Sequence, residues 1–124
     1  MTDTRIASVI ARRVWDSRGR PTVEAEITTV DGARGRAIAP AGASTGSGEA
    51  VDLRDGGAAF GGLDVGRAVA AIRDEIGPYL QGVDVADQTE IDARLVKLDG
   101  TPQMARLGGN ATIAVSMAAL HCAA

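Results

Sequence analysis

The chain has 124 residues, a net charge of −3 and an apolar fraction of 45%. That length gives one domain able to bury a core, built from Ala, Val, Ile and Leu because Trp15, Phe60 and Tyr79 are the only aromatics. The charge leaves no basic footprint for nucleic acid, and the single cysteine, Cys122, excludes an intramolecular disulfide.

No apolar run is long enough for a membrane-spanning helix, and Met1 to Arg5 lacks the apolar core of a signal peptide. A cytoplasmic protein with no membrane partner is the expectation. Asn110-Ala111-Thr112 fits a glycosylation sequon, which has no use without a secretory route.

Ile6 to Trp15 reads as a strand, with Ile6, Ser8, Ile10, Arg12 and Val14 on one side; the alternation is imperfect, since Ala7, Val9, Ala11 and Trp15 are also apolar. Asp16 to Pro21 carries turn chemistry. Thr22 to Val30 alternates well: Val23, Ala25 and Ile27 face one way, Thr22, Glu24, Glu26 and Thr28 the other. Asp31-Gly32 is a hairpin signal, and Ala33 to Ala39 returns as a third strand. Glu24 and Glu26 are placed to pair across the sheet with Arg34 and Arg36, or to stand as solvated charges.

The second half reads as helical. Asp64 is a candidate N-cap for Val65, Ala68, Val69, Ile72 and Ile76, and Gly77-Pro78 is expected to stop that helix. A second helix begins at Asp87, with Glu90 three residues on as a capping box. Its stripe is Ile91, Leu95 and Leu98, and Gly100 ends it. A third runs from about Asn110 to the chain end and is apolar almost all round, the mark of a buried helix. It has no stop signal, so this end is expected to continue in a parent protein or to be covered by a partner, or else simply to fray into water. The period changes from two to 3.6 along the chain. The fold class is therefore α+β: a three-stranded antiparallel meander followed by a helical half.

Between the halves lies Ala39 to Gly57. Pro40 closes the third strand, and Gly42, Gly46 and Gly48 free the backbone around Ala41, Ala43, Ser44 and Thr45. On composition two readings stand: a mobile surface connection, or a loop that offers N–H groups and hydroxyls to a small anion or a metal. Gly46 and Gly48 lack the remaining residues of a Walker or dinucleotide loop. His121 and Cys122 are neighbours on a helix and point about 100° apart, so they do not share a site.

Ala41-Gly42-Ala43-Ser44-Thr45-Gly46, followed by Glu49 to Gly56, resembles the mobile catalytic loop of enolases, the phosphopyruvate hydratases. Trp15 to Glu24 resembles the first hairpin of that family; Leu98 to Pro102 and Leu107 to Ala111 resemble its later landmarks, in order and at matching spacing. The resemblance covers the amino-terminal domain alone, over nearly the whole of 1–124, without the carboxy-terminal barrel.

The resemblance implies a capping domain of a lyase that converts 2-phosphoglycerate to phosphoenolpyruvate in glycolysis. It implies a substrate loop at Ala41, Gly42, Ala43, Ser44 and Thr45, with Ser44 as a magnesium ligand once barrel and substrate are present. It also implies an enolase-type barrel as partner, in cis or in trans, and places Arg12 and Glu24 near a subunit contact. No catalytic acid or base is expected within this chain. Ala41 stands where enolases carry serine, and Gly48 where they carry histidine. These departures favour a second reading, a stand-alone interaction module that kept the fold and lost the chemistry. A homo-oligomer is a further expectation, from the apolar third helix.

Overall fold

The structure, a computed structural model, describes residues 3–39, 53–57, 64–104 and 106–124. Three strands, β1 (Ile6–Trp15), β2 (Pro21–Thr29) and β3 (Arg34–Ile38), form an antiparallel sheet in chain order. A helical half follows, as the change of period requires.

The register puts Val9, Ile27 and Gly35 in one row and Ala11, Ala25 and Ala37 in the next. Val23, Ala25 and Ile27 are fully buried on that face. A register shift between Ile6 and Ser8 turns Ile6 into the core while Ser8 and Ile10 face outward. Ile6 therefore does not share the face of Ile10, although strict alternation puts them together. The Asp16 carboxylate accepts the Arg18 and Arg20 N–H groups at 2.9 Å each and shapes the first turn. Those N–H groups, Arg20's first, hold its pKa below the ordinary carboxylate range against the opposing effect of burial.

Glu24 and Glu26 do not pair with Arg34 and Arg36. Arg12 on β1 bonds Glu24 directly and stands 3.6 Å from Glu26. Arg12 is the register partner of Glu24 and a diagonal neighbour of Glu26, so one guanidinium reaches both carboxylates. Among the described residues Arg34 and Arg36 make no ion pair.

Gly77-Pro78 does not stop the first helix. The chain runs from α1 (Gly66–Ala71) through a π-helical stretch (Ile72–Ile76) into α2 (Gly77–Leu80). Proline lacks an N–H and is tolerated early in a helical segment; here it sits in the first turn after the π stretch. Gly77 lies against the sheet, where a Cβ would come within 3.4 Å of the Val9 carbonyl. The helix ends past Leu80, where Gly82 takes a φ of 88°.

α3 (Gln88–Asp99) begins on Asp87, whose carboxylate accepts the Glu90 N–H at 3.2 Å. The Glu90 side chain pairs with Arg94 at 2.7 Å instead of completing the box. Gly100 closes α3 in the left-handed conformation. A short 3-10 turn (Pro102–Met104) leads to α4 (Gly109–Ala123).

α4 lies across β2 and β3 but is not buried all round. Ala111, Ala114, Val115, Ala118, Ala119 and Cys122 are buried, while Ile113 and Leu120 are exposed. The buried side is made of small residues because the helix comes very close to the sheet. A Cβ on Gly35 would lie 2.5 Å from the Ala118 carbonyl, with the Cys122 amide nitrogen nearer still. His121 Nδ1 donates to the Arg36 carbonyl at 2.8 Å on the outer side of β3.

Candidate functional site

The predicted site residues Ala41, Gly42, Ala43, Ser44 and Thr45 lie outside the described residues. What the structure places is the ground on either side of them. On the upstream side, the Ala39 N–H donates to the Val23 carbonyl at 2.8 Å, continuing the ladder by one residue beyond β3. Its carbonyl accepts the Thr22 hydroxyl, also at 2.8 Å.

On the downstream side three consecutive residues are each tied to a different element. Leu53 is gripped by the Asn110 side chain at the start of α4: Asn110 Oδ1 accepts the Leu53 N–H at 2.9 Å and Nδ2 donates to the Leu53 carbonyl at 3.0 Å. Arg54 donates through Nη1 to the Pro21 carbonyl at 2.6 Å. The Asp55 carboxylate accepts the N–H groups of Gly66 at 3.0 Å and Arg67 at 2.8 Å. Pro21 and Thr22 thus meet both borders of the 40–52 segment.

Asp55, not Asp64, satisfies the first free N–H groups of α1. Asp64 accepts the Val65 N–H at 2.8 Å and holds Arg13 at 3.0 and 3.1 Å. The Val65 N–H is the largest cause of its lowered pKa, with Arg13 adding to it against the opposing effect of burial. Arg13 also lies over the Trp15 ring, 5.4 Å from its centroid.

The remaining landmarks join the same network. Asp99, 2% exposed, accepts the Thr101 hydroxyl, the Thr101 N–H at 3.0 Å and the Leu107 N–H at 2.7 Å. Arg106 donates to the Asp99 and Leu98 carbonyls and pairs with Glu75 at 2.7 Å. Gly108, at a φ of 96°, makes the corner into α4; a Cβ there would overlap the Leu53 side chain and come within 2.6 Å of Asn110 Oδ1. So the hairpin turn, the far end of the central loop, Leu98–Pro102 and Leu107–Ala111 are bonded neighbours.

The chemistry available among the described residues is that of holding. No group of three or more His, Cys, Asp or Glu among them is arranged to bind a metal. His121 and Cys122 diverge as their spacing demands: His121 bonds the edge of β3, while Cys122 is buried against Gly35. Burial pushes the Cys122 thiol pKa up, and Asp31 adds to the rise. Lys97 is exposed on α3. No described helix is long and apolar enough to cross a membrane.

Asn110, Asp55 and Thr22 were not legible as anchors. In the sequence Asn110 stands as a helix start, a sequon residue and part of Leu107–Ala111, none of which signals a grip on Leu53. Asp55 lies eleven residues ahead of the N–H it caps at Gly66, too far for any local capping rule to find.

The model of the family described as enolase, N-terminal domain, matches residues 6–124. The chain belongs to the enolase amino-terminal domain family. Among the relatives of this enolase domain, Enolase 2 of Methanospirillum hungatei JF-1 is 54% identical over 122 residues, 98% of this chain and 29% of that protein. The enolase of Mycobacterium leprae (strain TN) is 54% identical over 119 residues, 96% of this chain and 28% of that protein. The chain therefore spans less than a third of the length of these two relatives. The anchors around Leu53, Asn110, Pro21 and Asp99 are thus interactions internal to an enolase amino-terminal domain.

Proposed function

We propose that this enolase domain is the capping part of a lyase that removes water from 2-phosphoglycerate to give phosphoenolpyruvate. The observation that carries the reading is the family match over residues 6–124, together with a bonded frame that holds both borders of the Ser44 segment. A frame of this kind sets where a short, small-residue segment stands relative to the rest of the domain.

In this reading the chain supplies no acid and no base. Ser44 offers a hydroxyl and a carbonyl, hard oxygens of the kind magnesium prefers, and Gly42 and Ala43 bring main-chain atoms toward the substrate. Magnesium, when bound, stabilises negative charge on the substrate. Its carboxylate ligands, with the proton-transferring groups, come from an enolase-type barrel in cis or in trans. The segment's own part is to exclude water and to orient the substrate. A cytoplasmic setting and a homo-oligomer accord with this reading; the exposed Ile10, Ile38, Ile113 and Leu120 supply apolar surface for association.

The second reading, an interaction module without chemistry, is favoured by Ala41 and Gly48, which stand in place of the expected serine and histidine. Both are tested by phosphoenolpyruvate formation with saturating magnesium, first with the chain alone and then with an enolase-type barrel added. The capping reading expects no turnover alone, turnover with the barrel, and a loss on Ser44→Ala. Turnover by the chain alone that Lys97→Ala abolishes would overturn it. No turnover in either case, restored by Ala41→Ser plus Gly48→His, would support the module.

A further inference from the structure

We propose that the free edge of β3 is a docking site for an extended acidic peptide segment, which adds to the sheet as a further strand and sets carboxylates against Arg34 and Arg36. Binding there does not depend on the lyase reading.

β3 is paired with β2 on one side and with no described strand on the other. The Ala39 N–H donates to the Val23 carbonyl, and the Thr29 N–H to the Ala33 carbonyl. In an antiparallel pair, residues bonded in this way alternate with residues that are not. Gly35 and Ala37 therefore turn their main-chain groups toward β2, and Arg34, Arg36 and Ile38 turn theirs away from it. Among the described residues nothing accepts the N–H groups of those three. The Arg36 carbonyl accepts from His121 Nδ1 at 2.8 Å and keeps a second lone pair. A row of unpaired main-chain groups is a template for one more strand.

The side chains select the partner. Arg34, Arg36 and Ile38 lie on one face of the sheet and are all exposed. Glu26 is the register partner of Arg36, but Arg12 takes both Glu24 and Glu26. Two cations are thus left uncompensated along one edge of a chain whose net charge is −3. A strand laid beside β3 brings every second side chain to that face, so carboxylates at alternate positions meet Arg34 and Arg36. A second copy of β3 would set arginines against arginines, and like charges across a strand pair are unfavourable. The same two residues therefore guard the edge against its own copies and draw in an acidic strand. Ile38, Met117 and His121 border a cavity of about 480 Å³ beside this edge, room for an apolar side chain between the carboxylates.

The probe is a short peptide of alternating glutamate and valine, added to the full chain and followed by amide hydrogen exchange. At about 1 mM peptide the Arg34, Arg36 and Ile38 amides should exchange at least about 10-fold slower, while Gly35 and Ala37, already bonded to β2, change less. No slowing at the three amides overturns the proposal. Two N-methylated peptides, one methylated at the glutamates and one at the valines, keep the charge. Only one of these sets of nitrogens faces β3, so one peptide should bind at least about 10-fold more weakly than the other. Equal binding by the two overturns the proposal.

Arg34→Glu together with Arg36→Glu should weaken the unmethylated peptide at least about 10-fold, with an unchanged urea midpoint because both side chains are exposed. Unchanged peptide binding in that variant overturns the proposal; if the variant does not fold, the N-methylated pair decides. Slower exchange of the three amides with rising chain concentration and no peptide would assign the edge to a second copy and overturn it. So would a single-stranded oligonucleotide that binds through the arginines while the peptide leaves the three amides unprotected.

Discussion

Gly35→Ala tests the closest contact in the fold. The three atoms nearest to the added methyl would all be main chain: the Ala118 carbonyl at 2.5 Å, the Cys122 Cα at 2.6 Å and the Cys122 amide nitrogen closer than either. No rotamer change relieves such a contact. α4 would have to back away by about 1 Å to restore an ordinary separation, lifting Ala111, Ala114, Val115 and Ala118 off the sheet together. Overpacking costs of about 1–3 kcal/mol are usual where neighbours can yield; with a backbone wall the upper end, about 3 kcal/mol, is expected. At this chain length that lowers Tm by roughly 10 °C. The assay is urea and thermal unfolding followed by far-ultraviolet circular dichroism. Two controls sharpen it. Gly19→Ala, at a φ of 75° with no neighbour near the new Cβ, should lose only about 1–2 kcal/mol to conformational strain. Cys122→Ala should fail to rescue Gly35→Ala, because the obstacle is main chain. A Gly35→Ala loss below about 0.5 kcal/mol, or rescue by Cys122→Ala, would refute the reasoning.

Asp55→Ala should cost about 1 kcal/mol by uncapping α1, read as a lower urea midpoint; an unchanged midpoint would show that water or Asp64 serves α1 equally well. Asp99 supplies a pH dependence. Burial pushes its pKa up, but the Thr101 hydroxyl, the Leu107 and Thr101 N–H groups and the Arg106 charge outweigh that, and its folded pKa lies below the ordinary value. Its contribution is therefore fully present above about pH 4 and is lost as pH falls through the depressed folded value. Asp99→Asn should cost about 2 kcal/mol at pH 7, and the gap between wild type and variant should close on acidification; a gap constant from about pH 6 to pH 2 would refute this.

The sheet was legible because its cues are local. Asp16–Pro21 and Asp31-Gly32 are turn signals, and Val23, Ala25 and Ile27 alternate cleanly. Asp87 and Gly100 bound α3 for the same reason. What stayed hidden depends on partners distant in sequence. That Arg12, not Arg34 or Arg36, satisfies Glu24 follows from side-chain choice across a register, which alternation does not contain. The exposed Ile113 and Leu120 on α4 follow from Gly35, whose missing side chain lets a face of alanines outcompete larger residues for the sheet. At the site, the family motifs pointed to Ser44, but the grip on Leu53 joins residues 53 and 110 and has no local signature.

The π stretch within the first helix has a consequence for phase. Ala68, Ile72, Ile76 and Leu80 recur every fourth residue, and all four are fully buried. In a uniform α-helix a four-residue repeat advances about 40° at each step, so Leu80 would stand about 120° round from Ala68. The i→i+5 bonding of Ile72–Ile76 widens one turn and absorbs that drift. The helix thus holds a residue more than an α-helix of equal rise would, and the surplus emerges as the solvent-facing run Arg73-Asp74-Glu75. From that run Glu75 reaches Arg106, so the widened turn also meets the arginine that braces Asp99 and Leu98.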